Sequence, residues 1–245
     1  MKILAIANSF GVDATRYLHG IARAAGDNIK VVTLYIGGCS LYRHYRNMLS
    51  EERAYNLYVN GMDTGFKVSM KEALLSDEWD IVTIQQSSPN SGKEETFHPF
   101  LEEISAYAKK CAPKAKQYMH MTWSYSSEFD IQKKAGYANR EEMIPRVEKG
   151  YFLMADCIKA DGIIPSLYAM NALYEELGEA VYRDKYHCSL GVARYMLGCV
   201  WYMTLMGKSI DGNTFRDFDV EVSEHEVDAA QRCAKFAVEK NKYGV

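Results

Sequence analysis

Several things are scarce in this chain, and each scarcity excludes a class of protein. Basic charge is not in excess. Lys and Arg number 29 against 32 Asp and Glu, a formal net charge of −3, and no basic cluster supplies the electrostatic footprint of a nucleic-acid binder. Cysteines are few and scattered, at 39, 111, 157, 188, 199 and 233, with no C-x-x-C pair, which fits reduced core thiols better than a disulfide framework. Only 5 of 245 residues are proline, and neither a linker-like segment nor an internal repeat interrupts the chain. No apolar run reaches transmembrane length. The opening "MKILAIANSF" is too short for a secretory leader and stops at a polar turn without a small-residue cleavage site. These absences lead us to expect one domain over 1–245, cytoplasmic, with neither membrane nor nucleic acid as partner.

Motifs are missing too. His19, His44, His98, His120 and His225 form no H-E-x-x-H or comparable ligand spacing, so no metal and no cofactor are expected. The G-x-S-x-G elbow of another hydrolase class is absent. So are G-x-G-x-x-G and the P-loop, which leaves a nucleotide-binding module resting on fold analogy alone.

What is present is ample core material, 48% hydrophobic, arranged in alternation. Short β-rich runs lie at 2–8, 29–36, 79–86 and 115–123, with a weaker fifth at 160–165. They read as strands buried on both faces of a parallel sheet. Amphipathic helical patterns lie between and after them, at 13–25, 94–111, 140–160, 166–178, 188–206 and 223–240. Ser69 and Glu72 form a capping box ahead of another. The alternation predicts a three-layer α/β/α sandwich around a five-stranded parallel sheet. Residues 40–68 fit neither template and read as a helix-containing insertion.

Function in such folds collects where strands end. Ser9 follows the first strand, where first-turn N–H groups favour negative charge. Taken alone it reads more readily as a turn or cap serine. Asp184 and His187 in "RDKYHCSLG" could be the orienter and base that a weak serine nucleophile needs; alone, they read as a helix start. Gly38 can bring a backbone N–H close to a developing oxyanion because it has no Cβ. Gln85 and Gln86 end the third strand, and alternation sends only one of them to the site. Ser40 is a rival nucleophile. His44 could line the pocket, and Tyr42, Tyr45, Trp123 and Tyr125 are candidates for stacking on a sugar face.

"ANSF" at 7–10, "IGGCS" at 36–40 and "DKYH" at 184–187 together resemble, in order, three blocks of the SGNH (GDSL-like) serine hydrolases. The likeness is greatest to the branch near the sialate and carbohydrate O-acetylesterases. The resemblance implies a flavodoxin-like strand order 2-1-3-4-5, a catalytic triad of Ser9, Asp184 and His187, and an oxyanion hole from the N–H groups of Ser9 and Gly38. The usual G-x-N-D block is absent, and "QQSS" at 85–88 stands in its place. Gln86 is the candidate third donor by position, with Gln85 next. The expected substrate is a small ester, an acetylated sugar or similar molecule. A lysophospholipase or thioesterase-type lipid hydrolase and a non-catalytic carbohydrate- or nucleotide-binding module stay open as alternatives.

Overall fold

The computed structural model describes residues 1–128 and 131–243. Five parallel strands form its centre, β1 (Lys2–Ala7), β2 (Lys30–Tyr35), β5 (Ile81–Ile84), β6 (Lys116–His120) and β7 (Gly162–Ile164), in the spatial order β2-β1-β5-β6-β7. That is the 2-1-3-4-5 order of the parallel set. Ile3, Leu4, Ile6, Val82 and Ile84 are all buried, which both-face burial under helices requires.

The sheet is larger than expected and not wholly parallel. Two further strands, β3 (Tyr55–Val59) and β4 (Met62–Val68), run antiparallel and extend it past β2, making seven among the described residues. They lie within the segment read as an insertion. The signal was the Asn60-Gly61 pair, which favours a two-residue hairpin turn with positive φ at both positions. Asn60 has φ 51° and Gly61 φ 81°. A Cβ on Gly61 would also sit 2.1 Å from the Arg16 carbonyl oxygen, so no other residue fits there. Thr64–Phe66 bulge out of the ladder, where the register shifts between Asn56 and Tyr58. Asp63 and Thr64 side chains accept the N–H groups of Gly65 and Phe66.

The helices are α1 (Ser9–Thr15), α2 (Leu18–Ala24), α3 (Leu41–Ser50), α4 (Met70–Leu75), α5 (Phe100–Cys111), α6 (Ile131–Lys134), α7 (Arg140–Ile158), α8 (Ser166–Leu177), α9 (Val192–Met206) and α10 (Glu224–Lys240). Contacts sort most of them into two layers, α1, α2, α8, α9 and α10 on one face and α3, α4, α5 and α7 on the other. The first helical pattern begins earlier than the periodicity predicts, directly at Ser9, and breaks at Arg16–Tyr17. The capping box of Ser69 and Glu72 opens α4 as predicted.

Register places the site. Ala7 lies level with Tyr35, and Ile6 with Ile84. Asn8–Ser9, Ile36–Gly38 and Gln85–Ser87 therefore leave the sheet side by side at its carboxyl edge.

Candidate active site

Asn8 ends the first strand and caps α1, its Oδ1 accepting the Phe10 N–H at 3.0 Å. This puts Ser9 in the first helical turn, where backbone N–H groups have no intrahelical acceptor. Asn8 is buried and held twice more. Its Nδ2 donates to the Cys39 carbonyl at 3.2 Å, and its Oδ1 accepts Gln85 Nε2 at 2.7 Å. Behind Gln85 stands His120, fully buried, with Nδ1 at 2.8 Å from Gln85 Oε1 and Nε2 at 3.0 Å from Ser166 Oγ. Since Gln85 donates to Asn8, its Oε1 is the acceptor, so Nδ1 of His120 carries the proton and Nε2 accepts the Ser166 hydroxyl. Burial pushes the His120 pKa down to about 3, so this chain is uncharged.

On the other side of Ser9, residues 183–187 form a tight turn closed by Arg183 N–H donating to the His187 carbonyl at 3.0 Å. Lys185 takes the left-handed conformation there, φ 74°. Asp184 Oδ1 accepts the His187 backbone N–H at 2.8 Å, and its Oδ2 lies 2.7 Å from His187 Nδ1. His187 Nε2 lies 2.8 Å from Ser9 Oγ. The structure thus joins Ser9, His187 and Asp184, 175 or more positions apart at the extremes, into one hydrogen-bonded chain. Partial burial works against the Asp184 charge, but the hydrogen bonds from the His187 ring and backbone outweigh it and lower its pKa.

The chain opens into a cleft of about 640 Å³, lined by Asn8, Ser9 and Phe10, by Tyr35, Gly37 and Gly38, by Ser87–Pro89, and by Tyr125, Ala135, Arg183, Tyr186 and His187. Gly38 lies in the cleft with φ 60°, a conformation in which glycine carries no Cβ penalty.

Other expected site residues are placed elsewhere. Gln86 is fully buried. Its Oε1 accepts the N–H groups of Leu41 and Ser87, and its Nε2 donates to Thr96. The amide is spent joining α3 to the loop after β5, so it is no oxyanion donor. Gln85 points toward Ser9's side of the sheet but reaches it only through Asn8. His44 is buried against Tyr55, its Nδ1 2.9 Å from the Tyr55 hydroxyl, with its pKa pushed down to about 3 by burial; it does not line the cleft. Trp123 is also buried. It stacks on Phe10 at 4.0 Å, and its Nε1 donates to the Tyr186 carbonyl at 2.9 Å, supporting the cleft wall from behind. Ser40 caps α3 by accepting the Arg43 N–H. Tyr42 packs on Phe100 and Tyr45 packs beside it. Among the described residues, one group could hold a metal, His98, Glu102 and Cys157; it lies outside the cleft lining.

Sequence reasoning missed the clamp behind the site. Asp13 on α1 is buried and accepts hydrogen bonds from Arg183 Nη1 at 3.0 and 3.1 Å, and from Arg194 Nε and Nη2 at 2.9 and 2.8 Å. A buried carboxylate without such partners would be severely penalised. Here it fastens the helix that carries Ser9 to the turn that carries His187. A helical position four residues after Ser9 was the available signal.

The fold is that of the SGNH/GDSL-like hydrolases. A structure from Slackia heliotrinireducens assigned as an SGNH hydrolase superposes with TM-score 0.59 at 20% identity, covering 84% of this chain and 98% of the other. An acetyl xylan esterase superposes with TM-score 0.53 at 14% identity, over 84% and 100%. The chain belongs to the DUF4886 family, a domain of unknown function, whose model matches residues 2–237. A DUF4886 protein from Bacteroides uniformis superposes with TM-score 0.91 at 28% identity, over 98% of this chain and 95% of the other. Curated proteins yield no sequence match. No helix among the described residues is long and apolar enough to cross a membrane.

Proposed function

We propose that this protein is a serine ester hydrolase that removes a small acyl group, an acetyl, from a carbohydrate or similar small alcohol. The observation that carries the reading is the Ser9–His187–Asp184 chain at the mouth of the cleft. Ser9 Oγ attacks the ester carbonyl carbon as its proton passes to His187 Nε2. Asp184 holds the Nδ1–H tautomer and stabilises the imidazolium. The oxyanion is met by the N–H groups of Ser9 and Gly38. His187 then gives its proton to the leaving alkoxide as the C–O bond breaks, and a water activated by the same imidazole releases the acid from the acyl-enzyme.

The short-acyl preference is supported by the cleft's size and by its aromatic walls of Phe10, Tyr35, Tyr125 and Tyr186, which suit a sugar ring better than a long acyl chain. The acetyl xylan esterase likeness supports the fold on which such chemistry runs. The test is hydrolysis of p-nitrophenyl esters of increasing acyl length by the wild-type protein and by Ser9→Ala. Acetate turnover that falls with chain length and vanishes in the variant is expected. Turnover undiminished in Ser9→Ala, or a preference for long acyl chains, would overturn the reading.

A further inference from the structure

We infer that the cleft holds an anion subsite at Arg183, so that the alcohol part of the ester carries a carboxylate or similarly shaped anion. The inference rests on the esterase reading of the same cleft. Arg183 is the one Asp, Glu, Lys or Arg side chain among the described residues lining it. All of its side-chain hydrogen bonds to described residues go through Nη1, to both Asp13 oxygens and to the Cys188 carbonyl at 2.6 Å. Nε and Nη2 are left without a protein partner among those residues.

The wider network carries one positive charge in excess. Arg16, Arg183 and Arg194 are joined through only two carboxylates, Asp13 and Asp219. At its far end Arg16 is satisfied by a two-pronged contact with Asp219. The spare donors therefore lie at the Arg183 end, which is the end in the cleft. A guanidinium edge is a planar fork matched to a carboxylate. Phe10, Tyr186, Pro89 and Ala135 line the same cleft, and apolar walls of that kind strengthen a charged contact. Arg183 also anchors the His187 turn, so a simple loss of activity on its substitution would not identify a subsite. The readout has to be charge discrimination.

The experiment compares 4-acetoxybenzoate with 4-acetoxybenzamide, and the 3-acetoxy pair likewise, in wild type, Arg183→Gln and Arg183→Lys. A charge-assisted contact predicts a kcat/KM preference for the anion of about ten- to a hundredfold in wild type, expressed mainly in KM. It should fall with added salt, shrink in Arg183→Lys and vanish in Arg183→Gln. Absence of a preference in wild type, or a preference that survives in Arg183→Gln, would overturn the subsite while leaving the esterase standing. Calorimetric binding of 4-hydroxybenzoate against 4-hydroxybenzamide reads the subsite even if neither ester is hydrolysed. Tighter binding of the anion that is lost in Arg183→Gln is expected, and equal binding of the two sinks the proposal. Hydrolysis of neither ester would count against the esterase reading instead.

Discussion

His187 and His120 each stand between a serine hydroxyl and an oxygen acceptor, at similar distances. His187 has Ser9 at 2.8 Å and Asp184 at 2.7 Å, while His120 has Ser166 at 3.0 Å and Gln85 at 2.8 Å. The two differ in the charge of the acceptor and in access to solvent. His187's partner is a carboxylate, and its side chain opens on a cleft. His120's partner is a neutral amide, and the ring is sealed in the core. A counter-charge beside an imidazole stabilises the imidazolium that forms when it takes a serine proton. So one set of hydrogen bonds suits the proposed ester chemistry, and the other is a strut that holds Asn8 beside Ser9.

The largest expected effect comes from breaking the first chain and not the second. Ser9→Ala should cut kcat for p-nitrophenyl acetate by about 10⁴-fold or more, with the circular dichroism spectrum unchanged. His187→Ala should match it, and the double variant should be hardly worse than either, since the residues act as a unit. Ser166→Ala should cost less than about tenfold, because it removes one hydrogen bond from a support. Equal losses in Ser9→Ala and Ser166→Ala would erase the distinction.

The next effect makes the two sites alike. Asp184→Asn gives His187 an amide partner of the kind His120 has. The rate should drop between about tenfold and about 10⁴-fold. A wild-type rate in Asp184→Asn would reduce the site to a Ser–His pair.

A third effect concerns stability. His120 and His44 have folded pKa values of about 3 against an ordinary 6.5. Between those values the unfolded chain binds protons that the folded chain refuses, so stability rises with pH across the window and is lost on acidification. Each ring contributes up to about 1.4 kcal/mol per pH unit there. Urea unfolding from pH 7 down to 5 should show this slope, and His120→Gln should remove about one proton from it. An unchanged slope would mean that His120 does not stay neutral.

The smallest effect sharpens the contrast in backbone. His120 ends a regular strand, whereas His187 follows Lys185 in a left-handed conformation. Lys185→Gly should stabilise the fold by about 0.5 kcal/mol, and Lys185→Val should destabilise it by more, because a β-branched residue tolerates that conformation poorly. Chemical denaturation midpoints would resolve both.

The parallel core and the Ser9–His187–Asp184 set were legible because buried runs and ordered motifs leave strong local marks. Gln86 was misread because β5 ends at Ile84, and alternation says nothing about side-chain direction once the strand has stopped. Asn8 lay within a quoted motif, but its role as a cap tied to three elements depends on long-range contacts. Asp13 and Arg183, 170 positions apart, leave no local trace of their pairing. The hairpin at Asn60-Gly61 was readable, and the absence of a clean period in its flanking strands hid it.

That hairpin forms one end of the sheet. At β4 the bulge turns the ladder aside, and Asp63 and Thr64 use up N–H groups that a neighbour would need. At the other end, the Asn241 side chain donates to the Ile163 carbonyl of β7 at 2.8 Å. An incoming strand from another molecule meets a bent, locally satisfied margin on one side and a plugged acceptor on the other. Both margins of the sheet thus withhold backbone groups from an incoming strand, which works against edge-to-edge growth between molecules.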